Sequence, residues 1–310
     1  MRRLCRSIGP LIAALTLIAL APALPTQGRA PVGVVGHELS TSVDRSRDLE
    51  LPFVATHVAL HWTGAPDALI SVAFSADGVV FSPAEGVQHD HAGGETPGHT
   101  FGSVTWTGGA RFVRVTSDRP IARLAVVAID SNNGSHESKV NGYVAAAAVE
   151  QATVVSRAGW GANESLRFDA SGNEIWPPEF HPVQKLTVHH TAGKNNDPDP
   201  AATVRAIYHY NAVTNGWGDI GYNFLIDESG RIYEGRYSRA YADGETPTGE
   251  NLAGNGVTGA HVGGYNAGTV GIALLGTLTN QDATPAARAA LERLLAWKAD
   301  RHAIDPLGSG

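Results

Sequence analysis

Apolar and polar positions change rhythm twice along this chain of 310 residues. A continuous apolar run from 11 to 21 follows a basic start. From about 32 to 130, short stretches alternate apolar and polar residues with a period of two. Examples are Ala59-Leu60-His61-Trp62, residues 69–75, Ser103-Val104-Thr105-Trp106 and residues 111–115. That period marks half-buried strands. Asp77-Gly78 and Gly108-Gly109 read as turns, and the regular spacing predicts an all-β, sandwich-like antiparallel domain.

After about 154 the rhythm becomes mixed. Residues 185–190 read as a strand. Asp197 and Asp199 precede Pro200, an acceptor side chain and a first-turn proline that open a helix. That helix carries Ala201, Val204, Ile207 and Tyr208 on one face. Residues 222–227 and 231–235, around Glu228-Ser229-Gly230, predict a hairpin. Residues 269–276 read as a buried strand. Thr284-Pro285 opens a last helix through Leu291, Leu294 and Leu295 to about His302. Strands alternating with helices predict an α/β domain with a mixed central sheet and flanking helices. The chain thus divides into residues 1–30 (signal peptide and leader), 31–150 (a β-rich domain with a linker) and 151–310 (the α/β domain). Ser131-Asn132-Asn133-Gly134 and the run Ala145-Ala146-Ala147-Ala148 form the seam.

Composition narrows the function classes. Met1-Arg2-Arg3-Leu4-Cys5-Arg6, the apolar run and Ala21-Pro22-Ala23 form the basic, apolar and small-residue parts of a secretory signal, so the expected location is secreted or cell wall. The run is shorter than the ~20 residues of a membrane span, and no stable membrane anchor is expected after signal removal. Cys5 is the single cysteine, so the mature chain has no disulfide or thiolate ligand. Without Arg2, Arg3 and Arg6 the formal charge moves from −7 to −10. Nucleic acid is therefore not an expected partner, because phosphate contacts need clustered Lys and Arg. No Gly-x-Ser-x-Gly elbow stands beside a histidine, which argues against a serine hydrolase.

The chemistry-bearing residues lie in the second half. In strand alternation Leu186, Val188 and His190 share one face and Thr187, His189 and Thr191 the other. The apolar set is expected to face the core, which turns His189 toward a polar cleft. Tyr222 lies in Trp217-Gly218-Asp219-Ile220-Gly221-Tyr222-Asn223-Phe224. His261 and Asn266 lie in Gly259-Ala260-His261-Val262-Gly263-Gly264-Tyr265-Asn266. His209 sits on the predicted helix. His89 and His91 stand in Gly-, Asp- and Thr-rich sequence and read as a solvated loop.

These blocks, in this order and spacing, resemble the zinc-dependent N-acetylmuramoyl-L-alanine amidases (amidase type 2) and the peptidoglycan recognition proteins of the same fold. The resemblance covers roughly residues 154–302. It implies hydrolysis of the amide between N-acetylmuramic acid and L-alanine by a zinc-activated water, with peptidoglycan muramyl peptide as partner. It implies His189 as a zinc ligand and Tyr222 as the catalytic phenol that steadies water or oxyanion. It implies His209, His261 and Asn266 as substrate-binding residues. Ser156-Arg157-Ala158-Gly159-Trp160-Gly161 matches a structural strap, and Arg236 is expected to face an acidic stem peptide.

The family's two further zinc ligands belong to a Gly-His-Arg segment and to a Cys or Asp before Pro-Gly. Neither segment occurs before Gly310, and His302 falls on the last helix. The C-terminal part of the domain is therefore expected to be missing. Two readings stay open: an incomplete sequence of an active amidase, or a non-catalytic peptidoglycan-binding module.

Overall fold

The structure is a computed structural model, and it describes residues 33–89, 98–132 and 149–308. The expected export signal, His91 and most of the seam lie outside the described residues. The strands of the first half are β1 (Val35–Val43), β2 (Ser46–Thr63), β3 (Ile70–Ser75), β4 (Glu85–Gly86), β5 (His99–Phe101), β6 (Thr105–Ser117) and β7 (Ile121–Asp130). They form one hydrogen-bonded antiparallel sheet in the order β1-β7-β2-β6-β3-β4, with β5 also paired to β2. A sandwich predicts two such sheets. The difference arises because β2 and β6 run long and bend at irregularities instead of ending at turns. Gly108-Gly109, expected as a turn, lies within β6. Both glycines adopt positive φ, 79° and 90°, and the Thr107 hydroxyl accepts from the Gly109 and Ala110 N–H groups. The register between β2 and β6 shifts there, as a bulge requires.

The centre of this sheet is buried on both faces. In β7, Leu124, Val126 and Ala128 join one apolar core with Val58, Leu60 and Trp62 of β2. The intervening Val127 and Ile129 join a second core with Ala59. Alternation is therefore present, but its two phases enter two cores, and the strand reads as a continuous apolar run.

That second core belongs equally to the α/β half. Its elements are β8 (Val154–Val155), α1 (Arg157–Trp160), β9 (Phe180–His181), β10 (Lys185–His190), α2 (Pro200–His209), β11 (Phe224–Ile226), β12 (Ile232–Glu234), β13 (Gly256–Val257), β14 (Thr269–Leu274) and α3 (Pro285–Arg301). Five of the strands make a mixed sheet in the order β10-β14-β11-β12-β8. β11 and β12 are the expected hairpin, paired Phe224 with Glu234. Asp199 caps α2 by accepting from the Ala202 N–H, and Thr284 caps α3 by accepting from the Ala287 N–H. One side of the sheet packs on α3 through Ala287, Ala290, Leu294 and Trp297. The other side lies under α2, whose Val204, Ile207 and Tyr208 meet Ala59 and Val127 of the first sheet. No described helix is long and apolar enough to cross a membrane.

Polar groups pin the two halves together. The buried Arg205 guanidinium donates to the Ser131 carbonyl from Nε and Nη2, and to the Trp160 carbonyl from Nη1. The Tyr210 hydroxyl donates to the Leu60 carbonyl at 3.0 Å. His57 of β2, fully buried, meets the Thr203 hydroxyl at 2.7 Å through Nε2 and the Thr56 hydroxyl at 2.9 Å through Nδ1. At the far end, Glu250 accepts from Lys298, Arg301 and His302. His302, at the C-terminal end of α3, is thus a hydrogen-bond partner of Glu250.

Burial, with the Arg205 charge adding to it, holds the His57 imidazole down at about 3. An unfolded histidine titrates near ~6.5, so the unfolded chain takes up the proton first as pH falls. The stabilisation is complete above ~6.5 and is lost as pH falls toward 3, at ~1.4 kcal/mol per pH unit. Unfolding free energy of wild type should therefore fall faster between pH 6.5 and 4 than that of His57→Gln. Parallel pH profiles for the two proteins would exclude His57 as the linked group.

Candidate functional site

The site forms at one end of the mixed sheet. β10 is an edge strand paired in parallel with β14, with His189 opposite Ala273. An edge position leaves Val188 43% exposed, against the expectation that it faces the core with Leu186 and His190. Only one flank of an edge strand is covered by a neighbour, and here the open flank borders a cavity of about 430 Å³. Val188, His189, His190, Tyr222, Leu274 and Leu278 line it, with Thr191, Ala192, Thr279 and His89.

Three of the expected residues meet at this cavity or just behind it. His189 Nε2 lies 3.2 Å from His261 Nδ1. The His189 ring stands 5.8 Å from the Tyr222 ring and 5.3 Å from the His261 ring. Burial, then the neighbouring His190, lowers the His189 pKa. Burial, then His189, brings His261 down to about 4. Both rings are therefore neutral at pH 7, and one donates to the other's lone pair. His190 accepts from the Leu278 N–H through Nδ1, so in the neutral ring Nε2 carries the proton.

Two glycines, Gly271 of β14 and Gly221 in the segment before β11, make the convergence sterically possible. A Cβ at Gly271 would lie 2.3 Å from the His261 ring. A Cβ at Gly221, beside Tyr222, would lie 2.4 Å from the Ala260 carbonyl oxygen. Asn266 takes a supporting place: its Oδ1 accepts from the His261 and Val262 N–H groups at 2.8 and 2.9 Å, closing the loop. Asn223 clips the same region. It accepts from the Gly271 N–H and donates to the Val257 carbonyl, both at 2.8 Å. Its motif neighbour Tyr222 drew attention in the sequence, whereas Asn223 carried no signal beyond its presence in that motif.

Other residues fall elsewhere. His209 is buried against Gly36 of β1, where a Cβ would lie 2.1 Å from its Nε2, and it is absent from the cavity lining. α2 turns this face toward the first sheet. Arg236, expected to face ligand, is fully buried and donates to Asp219 at 2.7 Å and to the Trp176 carbonyl at 2.7 Å. Asp219 also accepts from Arg157 at 2.9 Å and from the Ile220 and Tyr237 N–H groups. Burial pushes the Asp219 carboxyl up, but the Arg157 and Arg236 charges outweigh it and hold it below the ordinary carboxylate range. His89, expected in a solvated loop, instead reaches the cavity, because its backbone bridges Gly102 at the sheet edge facing β10.

A hydrolytic zinc centre uses three protein ligands and an open position. The described residues bring two imidazoles together, and no group of three or more His, Cys, Asp or Glu among them is placed to hold a metal. These residues by themselves do not fit such a centre.

Residues 179–309 match the family model described as N-acetylmuramoyl-L-alanine amidase. The chain is 30% identical over 161 residues to peptidoglycan-recognition protein SC2 of Drosophila melanogaster, covering 51% of this chain and 74% of that one. It is 31% identical over 168 residues to peptidoglycan recognition protein 1 of Bos indicus, covering 52% and 73%. Among solved structures, wild-type Drosophila PGRP-LB aligns with 28% identity over 50% of this chain and 79% of that chain, with a TM-score of 0.37. The chain belongs to the amidase type 2 and peptidoglycan recognition protein family.

Two substitutions test how the site is held. Gly271→Ala drives a methyl group into the His261 ring and should cost about 2 kcal/mol, with a changed His261 imidazole resonance in the folded protein. An unaltered resonance and stability would show that the ring has room to move. Asp219→Asn leaves two buried guanidiniums without their shared charge and should cost about 3 kcal/mol in urea unfolding. A loss below ~1 kcal/mol would mean water already serves those groups.

Proposed function

We propose that residues 151–310 act on peptidoglycan, and that residues 31–150 form a β-rich domain attached to them. The muramyl peptide occupies the cavity at His189 and Tyr222. The bond addressed is the amide joining N-acetylmuramic acid to the L-alanine of the stem. The observation that carries this reading is the meeting of His189, His261 and Tyr222 at one end of the sheet. Export to the cell wall fits such a substrate.

The chemistry assigned to this chain's own residues is binding and orientation. A phenol and a neutral imidazole bordering one cavity can both donate hydrogen bonds to the amide carbonyl oxygen. Donors placed there favour the charge that develops as water adds to the carbonyl and the alanine amine departs. His261 supports His189 from behind, and Asn266 holds the loop that carries His261. Zinc ligation by His189, implied by the resemblance, needs donors beyond those described, so no step is assigned to the metal. Binding without hydrolysis is the second reading. The specific observation favouring it is that no group of three or more His, Cys, Asp or Glu among the described residues is placed to hold a metal.

Sedimentation with insoluble peptidoglycan and release of new amino groups, each with added zinc and with chelator, separate these readings. The amidase reading expects saturable binding and zinc-dependent amine release. It also expects a Tyr222→Phe variant that binds normally but turns over at least about tenfold more slowly. Binding with no amine release selects the binding module. Absence of binding overturns both.

A further inference from the structure

We propose that the first sheet is a wall of the muramyl-peptide cleft, and that His89 hydrogen-bonds a carbonyl or carboxylate oxygen of the stem peptide. This rests on the peptidoglycan reading and extends it to a part of the chain outside the residues matched to the family model.

The first observation is placement. His89 borders the same cavity as His189 and Tyr222, although it comes from the other half of the chain. The second is support. His89 pairs with Gly102 in an isolated bridge, and its ring meets the edge of Trp62 at 5.6 Å and 67°. Trp62 is 1% exposed, so the imidazole rests on a fixed core side chain.

The third observation is that this wall is tied to the strand end it faces. The Ser103 hydroxyl donates to the Ala192 carbonyl at 3.0 Å, and Lys194 pairs with Glu85 at 3.0 Å. Both contacts bracket the loop that follows His189. At Gly193 a Cβ would lie 3.0 Å from the Val104 carbonyl oxygen, so the backbones approach closely there. His89 and His189 are therefore held by one contiguous set of contacts.

The cavity chemistry suits a short peptide. Val188, Leu274 and Leu278 offer aliphatic surface for small side chains such as alanine. The His89 imidazole in the same lining supplies a polar group for the peptide's oxygens. A volume of about 430 Å³ is that of a ligand pocket and accommodates a few residues.

Titration calorimetry with N-acetylmuramoyl tripeptide and with N-acetylmuramic acid alone tests the proposal on the full chain. Loss of one hydrogen bond should weaken tripeptide binding by about tenfold in His89→Ala. His89→Gln, which keeps an N–H donor, should recover part of it, with melting temperatures unchanged in both. Equal tripeptide affinity for wild type and His89→Ala would overturn the proposal. So would a loss shared equally by the free sugar, or a loss accompanied by a lower melting temperature in both variants. If wild type binds no tripeptide, the peptidoglycan reading itself fails, and the role of His89 fails with it.

Discussion

The α/β half is organised around one buried carboxylate. Asp219 stands between the guanidiniums of Arg157 and Arg236, each from a different segment. Arg157 comes from the strap that opens this half, and Arg236 from the end of the hairpin. Asp219 itself lies three residues before Tyr222. A buried charge is tolerable only when its hydrogen-bonding capacity is filled. Two cations and two backbone N–H groups fill it here. Moving any of the three segments would strand a charge, so the path of the chain into Tyr222 is fixed by electrostatics as well as by packing.

The first sheet depends on a different constraint. From Leu124 to Ile129 its strand β7 has no solvent face, because Val127 and Ile129 are covered by the α/β half while Val126 and Ala128 are covered by their own core. The polar groups caught at that junction are each answered across it: Arg205 by the Ser131 carbonyl, Tyr210 by the Leu60 carbonyl, His57 by Thr203. The same close approach brings His89 to the cavity. There the two neutral imidazoles of His189 and His261 stand beside one another, with the Tyr222 phenol next to His189.

Much of the fold was legible because local chemistry specified it. Asp199 and Thr284 cap their helices as side-chain acceptors must, and the prolines behind them sit where no N–H is needed. The hairpin of Phe224–Ile226 and Ile232–Glu234 followed from turn residues between apolar runs. Gly108-Gly109 was misleading, since positive φ serves a bulge as well as a turn. Val188 was misleading for another reason: alternation tells which residues share a face, but not whether a strand lies at an edge.

For the site, the sequence by itself determined which residue types were available and their order: a histidine closing a strand, a tyrosine in a glycine-rich motif, a histidine in a second glycine-rich loop. The tertiary structure decided which of them meet. It joined His189 to His261 and Tyr222, turned His209 toward Gly36, used Asn266 to close a loop, and buried Arg236 beside Asp219. It also carried His89 from the other half into the cavity. The physical reason is that hydrogen bonds and ring contacts depend on distances of a few ångströms between segments far apart in the chain. Those distances are set by packing two sheets on one core, and no local pattern encodes them.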